Sequence, residues 1–283
     1  AFGAAVGVGA STAISVKLGQ KDYQTAEQLL GNTVTLNLLI GFVFSVVCLV
    51  FLDPILYFFG ASNETLPYAR SFMQIILLGN MVTHMYFGMN AVLRAASKPR
   101  QAMNATIFTV LMNILLDSVF ILWWGWGIRG AAVATVLSQS MALMYQLKLF
   151  MNKQQLLHFK RGIYRLRKDL VGNIISVGVS PFLMNLCACL IVIFMNNQLV
   201  RYGGDLSVGS YGIANAISTI FMMFVIGVNQ GMQPIAGYNY GSQQLDRQLQ
   251  ASPLASLPAT IIMPTGCMIA RDQADYRPRP FTP

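Results

Sequence analysis

"QAMNATIFTVLMNILLDSVFILWWGWG", Gln101 to Gly127, is an apolar run carrying a single charge, the carboxylate of Asp117. It exceeds the roughly 20 residues that cross the hydrocarbon core of a bilayer as a helix. The rest of the chain has the same character. Of its 283 residues, 55% are hydrophobic and only 10% charged, against roughly 25% charged in a soluble domain. Several other stretches are as apolar, and a chain of this length cannot bury so many helices on every side. The sequence reads as an all-α integral membrane protein, multi-pass in the cell membrane, with the lipid bilayer as its first partner.

Charge and cysteine usage narrow the function. Cys48, Cys187, Cys189 and Cys267 form no CxxC pair and stand beside no histidine cluster, which argues against structural zinc and against a disulfide framework. The net charge of +9 would suit a nucleic-acid ligand only if the cations shared one face. They are spaced by the apolar runs instead, so no nucleic-acid partner is expected. We place apolar helices at 1–18, 29–52, 67–92, 101–126, 129–151, 170–199 and 207–236. The linkers carry turn chemistry: "LDPILYFFGASNETLP", "RAASKPRQ", "WGWGIRG" and "RYGGDLS". Counting Lys and Arg on alternate linkers gives 13 on one side, including the run from Lys148 to Lys168, and 3 on the other, Arg70, Arg129 and Arg201. The positive-inside rule makes the basic side cytoplasmic.

The 148–169 stretch is the most charged linker and a candidate hinge between two bundles. A weak repeat supports a division there. "GASTAISVKLGQKDYQTAEQ" (Gly9–Gln28) aligns with "GMQPIAGYNYGSQQLDRQLQ" (Gly231–Gln250), pairing Gly9 with Gly231 and Gly19 with Gly241 at an offset of 222. Internal repeats of this kind build many transporters. The chain starts "AFGAAVGVGAST", as though inside a helix. Its last 33 residues hold six of the eleven prolines, so 251–283 is expected to be an atypical tail, foreign or disordered.

An ionised Asp at a helix centre costs roughly 2.5–3.5 kcal/mol on insertion scales. It persists by facing water, by pairing, or by staying protonated. Asn113 lies one turn earlier on the same helix face, and its amide can hydrogen-bond either protonation state. The pair has the makings of a switchable site, with helix-to-helix packing as the plainer alternative. His84, in "NMVTHMYFGMN", is a secondary candidate for proton handling, or else a hydrogen-bonded buried imidazole. Trp123, Trp124 and Trp126 read as an interfacial belt.

"GVNQGMQPIAGYNYGSQQLDR" (Gly227–Arg247) resembles the end of the eighth helix of the multidrug and toxic compound extrusion (MATE) transporters. "YARSFMQIILLGN", "MNAVLRAASKPRQAMNATI", "NILLDSVFILWWGWGIRGAAVATVLSQ" and "GVSPFLMNL" agree in order. The resemblance covers 1–250 and leaves the tail out. It implies a two-lobe bundle of twelve helices, of which this chain would hold the second through eighth. The first lobe would then be 1–152, lacking its first helix; 153–168 the cytoplasmic inter-lobe linker; and 169–250 the start of the second lobe. It also implies a cation-coupling site with Asn113 and Asp117 matching an Asn-x-x-x-Asp motif, and Thr135, Ala131 and Asn90 as neighbours. The family's partner carboxylate lies on the first helix, and no acid falls in 178–198 to replace it.

The resemblance implies secondary-active export of lipophilic, often cationic drugs or toxins by antiport with H⁺ or Na⁺. The complete transporter would be a monomer without an organic cofactor, and Na⁺ at Asp117 the one metal ion involved. A lipid-linked oligosaccharide flippase would need mid-span cations for a pyrophosphate, and none is present. An enzyme such as a membrane prenyltransferase would need clustered aspartates for Mg²⁺, whereas Asp117 stands alone. A truncated fragment without activity of its own is the remaining alternative.

Overall fold

The computed structural model describes residues 2–59, 61, 63, 65–152, 154–160 and 162–275. They form helices α1 (Phe2–Gly19), α2 (Tyr23–Val50), α3 (Leu52–Phe58), α4 (Leu66–Leu78), α5 (Asn80–Ala95), α6 (Pro99–Asp117), α7 (Gly127–Met151), α8 (Lys168–Gly241) and α9 (Leu245–Asp275). A π-helix, Ser118–Trp123, continues α6. The chain divides into two compact units, Ala1–Cys187 and Ala188–Pro283.

Among the described residues, four helical segments are long and apolar enough to cross a membrane: Tyr23–Val50, Pro99–Trp123, Lys168–Met195 and Ala214–Gly241. The bent pair α4–α5 makes a fifth if it counts as one span. Their outward residues, among them Phe42, Val50, Ile114, Leu115 and Leu122, are exposed apolar side chains that water would not tolerate in such number. The chain is a multi-pass membrane protein.

Three expectations change. The single helix expected over 67–92 is broken, with α4 and α5 bent by 55°. The break is satisfied from α2: Ser45 Oγ donates to the Leu77 carbonyl at 2.8 Å, and Asn80 Nδ2 donates to Ser45 Oγ at 3.1 Å and to the Gly41 carbonyl at 3.2 Å. A side chain at Gly79 would come within 2.6 Å of Val136 Cγ1, so the bend brings α4–α5 against α7. The "RYGGDLS" turn is helical backbone within α8, since its turn-forming residues permit a bend without requiring one. The tail is helical as far as Asp275, with Pro253, Pro258 and Pro264 inside α9; 276–283 lie outside the described residues.

The 222-residue repeat has a structural counterpart. α1 ends at Gly19, Lys21 takes φ 59° and α2 starts at Tyr23; α8 ends at Gly241, Gln243 takes φ 59° and α9 starts at Leu245. The turns share their hydrogen bonds, Asp22 N to Lys17 O and Gln244 N to Asn239 O, both 2.9 Å. The α5–α6 turn repeats the design, with Ser97 at φ 61° and Lys98 N to Leu93 O at 3.0 Å. Asp22 adds a cap, accepting from Thr25 N at 3.1 Å, and Thr25 holds its carboxyl below the ordinary value, with Lys17 assisting.

The first unit closes around a main core, beside a smaller cluster of Leu52, Leu56 and Leu77. Ile14 of α1, Leu29 and Leu30 of α2, Met89 and Leu93 of α5, Phe150 of α7 and Ile174 of α8 are all essentially inaccessible. Glycines let α1 and α8 touch: a side chain at Gly178 would lie 2.5 Å from the Ala5 carbonyl oxygen, and one at Gly9 3.0 Å from the Ile174 carbonyl carbon. The linker expected to be a hinge lies strapped along α2. Ile163 is buried against Gly31, Thr35 Oγ1 donates to the Tyr164 carbonyl at 2.9 Å, and Asn32 Nδ2 donates to the Arg165 carbonyl at 3.3 Å. Arg167 N donates to Asn32 Oδ1 at 2.9 Å. Glu27, itself buried, pairs with Lys160 at 2.7 Å and faces His158 at 3.6 Å.

Candidate membrane coupling site

Asp117 is the last α-helical residue before the π-helix, roughly 9 Å of helix rise from Trp123. It thus sits midway between the centre of its span and the tryptophan end. The π-helix is written in the backbone: Trp124 N donates five residues back to Val119 O, at 3.0 Å. Such single-turn widenings are rare and recur at functional sites. Asp117 is half-buried, and its Oδ1 is buried without a hydrogen-bond partner; so is Nδ2 of Asn113. The expected pair therefore shares a face but leaves a polar atom on each side chain unmet, which in a low-dielectric setting is costly unless something else is bound. An oxygen acceptor of this kind suits a proton or a cation. The Asn113 amide, turned over, would present oxygen as well.

Residues from α7 reach the same depth. Gly130 abuts Phe120, where an added side chain would come within 3.0 Å. Counting along the antiparallel α6–α7 hairpin from that contact sets Asp117 level with Val133, between Ala131 and Thr135, to within about a turn. Thr135 Oγ1 donates to the Ala131 carbonyl at 2.9 Å, which leaves the hydroxyl oxygen able to accept. Thr83 of α5 donates to Gln139 Oε1 of α7 at 2.6 Å. Counting from that bond brings Leu77, at the α4–α5 break, to the level of Val133. The acid, the π-helix and the broken helix share one depth, and irregular backbone inside a membrane bundle is tolerated where it lines a protein-enclosed site.

Asn90 and His84 are elsewhere. Asn90 Nδ2 donates to the Ala102 carbonyl at 3.0 Å and to Thr106 Oγ1 at 3.2 Å, while its Oδ1 accepts from Arg94. Ala102 is roughly 22 Å of helix rise from Asp117, so the structure ties Asn90 to the α5–α6 turn and does not bring it to the acid. His84 is buried between α1 and α2; a side chain at Gly3 would approach its Nδ1 to 2.9 Å, and that nitrogen has no partner. It faces away from Thr83 and the α7 contact. Phe120, Trp124 and Trp126 form a mutual ring cluster with centroids 5.0–5.5 Å apart.

Sequence reading missed several polar features. Gln146 of α7 is fully buried with both amide atoms unpartnered, and a glutamine in an apolar helix gives no sign of that. The Thr83–Gln139 bond and the π-helix were also invisible. Among the described residues no cluster of three His, Cys, Asp or Glu could hold a metal ion.

The MatE family model matches residues 1–119 and 179–270, continuing past 250, where the sequence resemblance was expected to stop. Multidrug export protein MepA of Staphylococcus haemolyticus is 29% identical over 244 residues, covering 86% of this chain and 54% of the relative. MepA of Staphylococcus aureus (strain MRSA252) is 26% identical over 238 residues, covering 84% and 52%. The solved structure of a MOP superfamily transporter from Pyrococcus furiosus shares the fold with a TM-score of 0.86 at 24% identity, covering 92% of this chain and 58% of that one. The chain spans about half the length of the curated relatives it matches. On the extent of the family match and the all-helical membrane architecture together, this chain belongs to the MatE family.

Proposed function

We propose that the full-length protein is a secondary-active exporter in the cell membrane that expels lipophilic, often cationic compounds in exchange for H⁺ or Na⁺. The observation that carries the coupling role is the buried, unpartnered Oδ1 of Asp117 at the start of the π-helix. The name of the MepA relatives, multidrug export protein, supports the substrate class. In this reading residues 1–152 belong to one lobe and 169–250 begin the other. A proton on Asp117, or Na⁺ held by its carboxylate with oxygens of Asn113 and Thr135 and the Ala131 carbonyl, removes the cost of the bare charge. Coupling requires that the ion bind the two lobe arrangements unequally. A carboxylate that is desolvated in one arrangement and wetted in the other meets that requirement.

The test is retention of a lipophilic cationic dye by an efflux-deficient host expressing the full-length gene product. Asp117→Asn keeps size and hydrogen bonding and removes the titrating charge, so dye export is expected to fall to background at matched membrane levels. Asn113→Ala and Thr135→Ala are expected to weaken export less, since each removes one ligand and leaves the charge. Export by Asp117→Asn at the wild-type rate would show that the acid only packs helices.

A further inference from the structure

The strap presents an outer edge that the transport reading does not use. Its inner side is fixed: Gly162 turns with φ 93°, Ile163 is buried, and three hydrogen bonds tie the backbone of 164–167 to Thr35 and Asn32. Two of its cations are already engaged, Lys160 with Glu27 and Arg167 with Gln28 at 2.7 Å and Asp169 at 3.0 Å. Arg165 and Lys168 are exposed, and no acid faces them among these contacts. Between and beside them Tyr164 and Leu166 are 43% and 42% exposed. A cation, an aliphatic and an aromatic side chain are thus held on one short segment whose backbone cannot drift.

The depth of that segment follows from α2. Its exposed apolar face begins at Leu38 and Leu39 and runs through Val50, marking where hydrocarbon begins. The Tyr164 carbonyl is bonded at Thr35 and the Arg165 carbonyl at Asn32. These lie roughly 4.5 Å and 9 Å of helix rise beyond Leu38. A headgroup layer is roughly 5–7 Å thick on each side of the hydrocarbon core. Tyr164 is therefore at headgroup level, Arg165 stands just beyond its outer edge with a side chain long enough to reach back to the phosphates, and Lys168 opens α8 as that helix enters its apolar span. Tyrosine favours this boundary, and long cationic side chains reach along it.

We propose that the 164–168 edge of the strap binds the headgroups of anionic phospholipids, with Tyr164 and Leu166 resting in the interface and Arg165 and Lys168 contacting lipid phosphate. The bilayer, and not free phosphate, is the source, because the apolar pair has a role only there. Lys160 has no part in it, since Glu27 holds it.

The experiment uses the full chain in bilayers, with Trp123, Trp124 and Trp126 replaced by Phe and Tyr164→Trp as the reporter. Quenching by dibrominated phosphatidylglycerol is compared with quenching by dibrominated phosphatidylcholine, which gives the relative affinity of lipid at residue 164. The anionic lipid is expected to win by about fivefold per contributing cation, with the preference shrinking as salt rises. Arg165→Gln with Lys168→Gln should bring the ratio close to one, Arg165→Lys with Lys168→Arg should keep it, and Arg70→Gln should leave it unchanged. Equal quenching by the two lipids, no quenching by either, or a preference that survives the double Gln variant would each overturn the proposal.

Discussion

Replacing Gly31 with alanine puts a methyl group 2.5 Å from the carbonyl carbon of Ile163 and 2.6 Å from its Cγ1. Backbone has no rotamer to escape into, so the strap must lift from α2. Lifting exposes Ile163, worth about 1.5–3 kcal/mol for a buried aliphatic side chain. It also weakens the three hydrogen bonds from Thr35 Oγ1, Asn32 Nδ2 and Arg167 N, each worth about 0.5–1.5 kcal/mol. Complete loss would total roughly 3–7 kcal/mol; a displacement of an ångström or so that keeps part of the contact leaves about 3 kcal/mol, a factor of roughly 150 in the open population. Trypsin reads that population directly, because cleavage under native conditions follows the open fraction when reclosing is fast. The segment offers Lys160, Arg165, Arg167 and Lys168 as cleavage sites. Gly31→Ala is expected to be cut there about a hundredfold faster than the unsubstituted chain. Gly172→Ala, where an added side chain meets nothing within 4 Å, should be cut at the original rate. Equal cleavage of Gly31→Ala and the unsubstituted chain would refute the strap.

Gly79→Ala should lower the thermal midpoint by forcing its methyl into Val136, 2.6 Å from Cγ1; adding Val136→Ala should restore most of the loss, because the obstacle is side chain and not backbone. Asp22 has its carboxyl held below the ordinary 3.8 by Thr25, so its cap is fully present above that pH and fades as pH falls through the lowered value. Asp22→Asn should therefore flatten that part of the acid stability profile and leave the profile above about pH 5 unchanged in shape. Single cysteines at Asn63 and Gln154 should label oppositely with an impermeant thiol reagent on intact cells, Asn63 from outside and Gln154 only after permeabilisation; labelling of both from outside would reverse or break the charge-based topology.

Where sequence reading succeeded, a local signal and the tertiary fold agreed. Gly19 and Gly241 announced helix ends, and both helices end there, with the next starting at the same offset. Asn113 and Asp117, four apart, had to share a face. It failed where depth or backbone detail was at issue. "LLGNM" reads as one apolar helix, yet Ser45 on α2 supplies the hydroxyl that lets the chain break at Leu77. Ser118–Trp123 has no composition that separates a π-helix from an α-helix. Asn90 was grouped with Asp117 by resemblance, but its amide is spent on Ala102 and Thr106 near the other end of α6. The linker looked like a hinge because it is charged; the uncharged contacts of Gly31, Asn32 and Thr35 decide its place instead.

The coupling role of Asp117 is tested most directly by dye efflux from proteoliposomes containing the full-length protein under an imposed H⁺ or Na⁺ gradient. The wild type should extrude a lipophilic cation when one of the two gradients is applied and stop when it collapses. Asp117→Asn, reconstituted to the same density, should show no gradient-driven efflux while retaining its thermal midpoint. Gradient-driven efflux by Asp117→Asn at the wild-type rate would contradict the account.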